Sequence, residues 1–324
     1  MEGQTMGKRY SRMRDNGDRQ DVYERVTATI IEQLEKGVRP WCKPWSGGHV
    51  AGPIHRPLRS CGTPYRGINV VMLWVVAEMK GYTAPIWMTY RQAQALGGQV
   101  RKGEKSALVT YSGTIEKEGE GDECGGGEEG RTIRFRKGYT VFNVEQIDGL
   151  PGHYYATHDT NPNPDAPIAE AEAFFAAIGA DIRHGGMEAY FAPGLDYIQM
   201  PPFERFQEAG RYYEVLAHEC THWSGHKSRL DREMPGETPK ERYANEELVA
   251  EIGAAFLAAE LGLAIEPRED HAAYIANWLQ ALRNDKRLIF KAASEAQKAA
   301  DYLIEKAGGN RQTEADGEEE RAAA

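Results

Sequence analysis

The chain has 324 residues, 41% of them hydrophobic, enough for two domains of ordinary size with sizeable cores. No run approaches the ~18 consecutive apolar residues of a membrane span, and Met1 to Gln20 is too polar for a secretory signal, so no membrane contact and a cytoplasmic address are expected. Cys42, Cys61, Cys124 and Cys220 lie far apart with no CxxC pair, which argues against a disulfide framework and a zinc-finger spacing.

Residues 1–19 read as disordered. Helical periodicity then sets in, with Val22, Val26, Ile30, Ile31 and Leu34 on one face and Gly37 as the stop. A segment rich in Pro, Gly and aromatics follows, and Gly67 to Gly81 (INVVMLWVVAEMK within it) reads as an apolar helix with Trp74 in the core. Ile86 to Tyr90 is a short strand or turn, and Arg91 to Leu96 a short helix. Ala107 to Gly113 and Thr132 to Val144 are strand candidates, joined by a Gly/Glu-rich insertion at residues 116–130 that reads as a flexible hairpin extension. Residues 20–147 therefore form one α+β domain. The Pro-rich stretch 148–167 reads as a linker to a second domain, residues 168–307. There the pattern predicts a helix over Ile168 to Ile178 and strands at Met187 to Phe191 and Tyr197 to Met200, paired around the Pro193–Gly194 turn. A helix from about Glu204 to Trp223 follows, then long helices at about Glu241 to Leu261 and Arg268 to Ala307. Residues 308–324 form an acidic tail expected to be unstructured.

The segment YYEVLAHECTHWSG contains His218, Glu219 and His222 in HExxH spacing. On a helix, residues four apart share a face, so both imidazoles can bind one metal ion. Glu219, one residue on, is within reach of a water activated by that ion and can take its proton. A third ligand is available in EELVAE: Glu247 and Glu251 are themselves four apart and open an apolar helix, where a carboxylate needs a partner. One can complete a His2Glu site that leaves a position open for water, and the other can orient a ligand imidazole from behind. The three-histidine variant of the motif fails, because Ser228 stands where a third histidine would be. His226 is then a loop residue near the cleft, and Cys220 points into the core. The fitting chemistry is hydrolysis of a carbonyl compound. Tyr197 to Met200 is expected to line the cleft and pair with an extended peptide, and Tyr212, Tyr213 and Tyr243 are equal candidates for stabilising an oxyanion.

The net charge of −10 is unevenly spread. Residues 1–111 carry 17 Lys/Arg against 9 Asp/Glu, or +8, which leaves 22 against 40, or −18, for the remainder. Single strands are gripped by basic grooves with aromatic faces for stacking. The first domain interleaves both: Arg39, Trp41, Lys43 and Trp45, then Tyr65 and Arg66, then Trp87, Tyr90 and Arg91, then Lys102 and Lys105. Trp41 and Trp45 read either as buried loop anchors or as exposed platforms.

The order GVRPWCKPW, TPYRGINVVML, WMTYRQAQALGGQVRKGEKS, AHECTHWSGH, YANEELVAEIGAAFLAAELGL resembles that of the ArdC-type antirestriction proteins of conjugative plasmids, over roughly residues 20–305. The first module also resembles the one that precedes plasmid primases. The resemblance implies an N-terminal α+β single-stranded-DNA-binding domain and a zincin-like (gluzincin-type) metallopeptidase domain, mostly helical with a small sheet. Such proteins protect incoming plasmid DNA from host restriction during conjugation. By position, His218 and His222 match the metal ligands, Glu219 the catalytic acid/base, and a glutamate of EELVAE the third ligand. Glu247 is favoured over Glu251, because a ligand followed by an acidic residue four positions on is the thermolysin-type arrangement. The implied cofactor is one Zn2+ per chain, with Mn2+ as the alternative divalent ion. The implied partners are single-stranded DNA and a host protein substrate or restriction enzyme. The alternative is a DNA-binding shield or primase-associated accessory protein whose zinc domain is structural and non-proteolytic.

Overall fold

The computed structural model describes residues 21–41, 54–117, 131–155, 166–263 and 272–309. Lys43, Trp45, most of the 116–130 insertion, the centre of the 148–167 linker and nearly all of both expected tails lie outside these residues. Elements are numbered in chain order. The N-terminal module opens with α1 (Val22–Glu35), capped by Asp21 accepting from the Tyr23 amide at 3.3 Å and burying Val26, Ile30 and Leu34. The apolar helix is α2 (Ile68–Lys80), bounded as expected by Gly67 and by Gly81, whose φ of 71° is the left-handed cap that glycine adopts without strain. Strands β1 (Leu58–Arg59), β2 (Ile86–Met88), β4 (Ala107–Lys117) and β5 (Arg131–Asn143) form a sheet in the order β1-β2-β5-β4. The β4–β5 hairpin runs in unbroken register from Ala107↔Val141 to Lys117↔Arg131, longer than the pattern predicted. Beside it, α3 (Tyr90–Ala95) is closed by a Thr89–Gln92 capping box, and β3 (Gln99–Val100) pairs with β6 (Ile147–Asp148). Met88, Ala93, Val100, Ile147 and Leu150 form a small core of their own there.

The second module begins with α4 (Ala166–Ala177) and a three-stranded sheet of β7 (Asp181–His184), β8 (Tyr190–Ala192) and β9 (Tyr197–Met200). Its order is β7-β9-β8, with β7 parallel and β8 antiparallel to β9. Strand β7 has no apolar alternation to betray it; three of its four residues are exposed. Helix α5 (Ala209–Ser224) starts later than expected, because Pro201 and Pro202 lead into one tight turn at Phe203–Arg205. Helix α6 (Pro239–Leu261) has Pro at its first position and a Thr238–Glu241 capping box. The single helix expected over 268–307 is two, α7 (Ala272–Asn284) and α8 (Leu288–Lys306). The Asp285 carboxylate accepts from the Arg287 amide at 2.8 Å, a local side-chain bond that competes with helix continuation. No helix among the described residues is long and apolar enough to cross a membrane.

The two modules are not beads on a string. One apolar core runs from Val26 and Ile30 of α1 through Val71 of α2 to Leu248 of α6 and Ile289 of α8. Trp41 is fully buried and meets Trp278 of α7 edge-on, at 5.7 Å between ring centroids. Trp74 approaches Phe256, Arg56 donates to Gln297 at 2.6 Å, and Arg66 pairs with Asp301. These contacts correct part of the expected nucleic-acid surface. Trp41, Tyr65 and Trp87 are at most 3% exposed, so none has a ring face open to a base. Arg39 and Arg66 are committed to Glu251 and Asp301 across the module boundary rather than offered to phosphates. Tyr90, Arg91, Lys102 and Lys105 remain exposed, gathered on α3 and the turn after β3.

Candidate metal centre

Helices α5 and α6 face each other closely enough that a Cβ on Gly253 would lie 2.6 Å from Thr221 Cγ2. Thr221 sits between the two motif histidines, and Gly253 lies two residues beyond Glu251. A larger residue at 253 would wedge the helices apart at the level of the site. Their approach brings three donors together. His218 Nε2 and His222 Nε2 are 3.2 Å apart, Glu247 Oε2 is 3.4 Å from the first, and Glu247 Oε1 is 3.3 Å from the second. Ligands held at about 2.0–2.1 Å around a tetrahedral ion are roughly 3.3 Å apart. The triad therefore has the edge lengths of a His2Glu site with its fourth corner open. The donor set suits a divalent cation of the zinc or manganese kind.

Electrostatics point the same way. Burial opposes charge on His218, but the Glu247 and Glu251 carboxylates outweigh it, and the imidazole is pushed up to about 10. His222 is likewise pushed up to about 9 against burial, by Glu246 and Glu247. Glu247 resists burial in turn and is held well below the usual carboxylate range by the two imidazoles. A buried cluster that holds protons this tightly is one that calls for positive charge, which a metal ion supplies.

The structure separates two glutamates that the sequence left open. Glu247 faces Nε2 of both histidines, whereas Glu251, also carried as a ligand candidate, lies behind His218 with Oε1 at 3.3 Å from Nδ1. Among the described residues the donors that converge are His218, His222 and Glu247 alone. Sequence reasoning missed Glu246 and Arg232. Glu246 Oε1 lies 3.3 Å from His222 Nδ1, and Arg232 Nε donates to both Glu246 oxygens at 2.9 and 3.1 Å. The run of adjacent glutamates was the visible signal; the arginine, from the loop after α5, had none.

A cleft of about 440 Å³ opens beside the triad. Glu219 lines it, one residue from the first ligand, as do Phe191 of β8, Pro193 in the turn after it, His226 and Tyr243. Of the three tyrosines considered, Tyr243 is at the cleft. Tyr212 is packed among Phe203, Phe206 and His184, where burial pushes its phenol up to about 12, and Tyr213 stacks on Phe175. The expected peptide-pairing strand is also corrected. Tyr197–Met200 is the central strand, bonded on both sides, so the edge bordering the cleft is β8, Tyr190–Ala192. Cys220 is fully buried on α5, as expected.

A family model of the N-terminal domain of the anti-restriction factor ArdC matches residues 20–142, and one of a zincin-like metallopeptidase matches residues 169–295. The chain is 45% identical over 287 residues to the uncharacterized protein y4eC of Sinorhizobium fredii (strain NBRC 101917 / NGR234), covering 87% of this chain and 91% of that one. It is 38% identical over 296 residues to the DNA primase TraC of Escherichia coli, but spans only 27% of that protein. Crystal structures of the antirestriction protein ArdC from plasmid R388 superpose on it. The metal-free form gives a TM-score of 0.75 at 53% identity, covering 90% of this chain and 100% of that one. The Mn(II)-bound form gives 0.72 at 52% identity, covering 89% and 98%. With a full-length solved relative at 53% identity and both modules matched, the chain belongs to the ArdC family of antirestriction proteins.

Proposed function

We propose that this chain is a plasmid-encoded antirestriction protein whose first module binds single-stranded DNA and whose second is a metal-dependent peptidase acting on a host protein. The observation that carries the hydrolytic half is the His218–His222–Glu247 triangle, with donors 3.2–3.4 Å apart at the floor of an open cleft lined by Glu219. A purely structural site would have four protein ligands; among the described residues this one offers three, beside an open cleft. His218, His222 and Glu247 would hold a divalent ion, Zn2+ or the Mn2+ seen in the R388 relative. When bound, the ion polarises a carbonyl and acidifies water. The Glu219 carboxylate accepts the proton of the attacking water and returns it to the departing amine. β8 is the outer strand of its sheet on the cleft side, along which an extended peptide can lie, and Tyr243 and His226 would flank the carbonyl it brings. For the DNA half, Tyr90 offers a ring at 41% exposure among Arg91, Lys102 and Lys105. Binding strands as they enter a recipient would put the protein in the cytoplasm.

Glu219→Gln tests the reading. It removes the general base while keeping shape, so metal content, fold and salt-sensitive binding of a single-stranded oligonucleotide should match wild type. Peptide cleavage should fall about 10²–10⁴-fold. Protection of an unmodified plasmid transferred into a restricting recipient should fall with it. Full protection by the variant would make the protein a non-proteolytic shield, and absence of oligonucleotide binding by either form would remove the DNA half.

A further inference from the structure

Each ligand imidazole is backed by a carboxylate, and each of those carboxylates is held by a buried arginine. Behind His222 the chain is local: Glu246, then Arg232, both from the peptidase module. Behind His218 it is not. Glu251 Oε1 lies 3.3 Å from Nδ1, Glu251 Oε2 lies 3.3 Å from Arg39 Nη1, and Arg39 belongs to the N-terminal module, 212 residues earlier in the chain. Arg39 and Glu251 are 5% and 6% exposed, so their charges interact with little screening by water. Two residues on, Trp41 is buried against Trp278, which anchors the segment carrying Arg39 to α7. A carboxylate drawn toward an arginine is fixed in position and shares its charge, and a carboxylate behind a ligand imidazole sets the tautomer and the basicity of the metal-facing nitrogen.

We infer that Arg39 is a positioning residue of the metal centre supplied by the DNA-binding module, so that docking of the 38–41 segment and metal affinity are thermodynamically linked. By reciprocity, an ion at the triad strengthens the hold of the peptidase module on that segment, and any event that displaces the segment weakens the ion's site. Trp41 and Arg39 are thus both part of the seam between modules, one by packing and one by charge. The inference rests on the triad being a metal site, and the experiment separates the two.

The test measures metal affinity of full-length wild type and of Arg39→Met by chelator competition, together with the visible spectrum of the Co2+-loaded proteins. Arg56→Met is the control, because Arg56 also crosses the seam, to Glu260 and Gln297, without touching Glu251. Arg39→Met should weaken Zn2+ binding about 10–100-fold and shift the Co2+ spectrum, as outer-shell substitutions do. Arg39→Lys should recover part of the loss, and Arg56→Met should leave affinity and spectrum unchanged. Wild-type affinity in a folded Arg39→Met, or an equal loss in Arg56→Met, would overturn the inference. Should Arg39→Met not fold, hydrogen exchange of wild type decides. Added Zn2+ should slow the amides of Val38, Arg39 and Trp41, and no slowing would overturn it. A wild type that binds no Zn2+ or Mn2+ would remove the inference and the metal reading together.

Discussion

At His218 and His222 a related arrangement occurs twice, an imidazole whose Nδ1 lies 3.3 Å from a carboxylate and whose Nε2 faces the common centre. The contact has hydrogen-bond geometry between His222 and Glu246 and is a looser charge contact between His218 and Glu251. The spacing of these histidines was legible in the sequence, because i, i+4 neighbours depend only on helix geometry. The choice between Glu247 and Glu251 was not, since both fall on one face of α6 and only the approach of α5 decides which nitrogen each meets. Glu246 was illegible for another reason. Its role depends on Arg232, which a loop folds back to it, and on Gly225, where a Cβ would lie 2.6 Å from the Arg232 guanidinium. Replacing Glu246 with Gln removes the charge behind His222 while keeping size. Metal affinity should drop about 10–100-fold with the fold intact, measured by chelator competition. Unchanged affinity would mean that Glu246 serves Arg232 alone.

Among the elements, α1 with its apolar period, α2 and α6 with their continuous apolar runs, and the core of the β4–β5 hairpin were found close to where expected. Elements defined by local polar bonds or by pairing partners were not. Strand β7 exists because β9 lies beside it, and α7 parts from α8 because Asp285 caps the turn between them. The element contact that matters most to the site is the crossing of α5 and α6 at Thr221 and Gly253. Gly253→Ala must push a methyl into the Thr221 side chain, so unfolding in denaturant should show a loss of about 1–3 kcal/mol. Metal affinity should fall as well, since the helices carrying His218 and Glu247 are the ones driven apart. Wild-type stability in the variant would show that the helices separate without strain.

Over the whole molecule, the charge asymmetry and the two family modules were visible in the sequence, but the shared core was not. Loop aromatics such as Trp41 carry no mark that separates a buried anchor from a stacking face; burial against Trp278 does so only once α7 is in place. The consequence is that the proposed nucleic-acid surface shrinks to the exposed residues around α3, while Trp41 and Arg39 join the modules. The central claim, a metal ion at the α5–α6 crossing, is tested most directly by ion content and thermal stability of the purified chain with and without Zn2+. The account predicts one ion per chain, lost in His218→Ala, with affinity falling as pH is lowered because protons compete for both imidazoles. At free Zn2+ about 100-fold above Kd it also predicts about 2.7 kcal/mol of added stability. No stoichiometric ion in a folded wild type, or an unfolding transition indifferent to Zn2+ and Mn2+ alike, would contradict it.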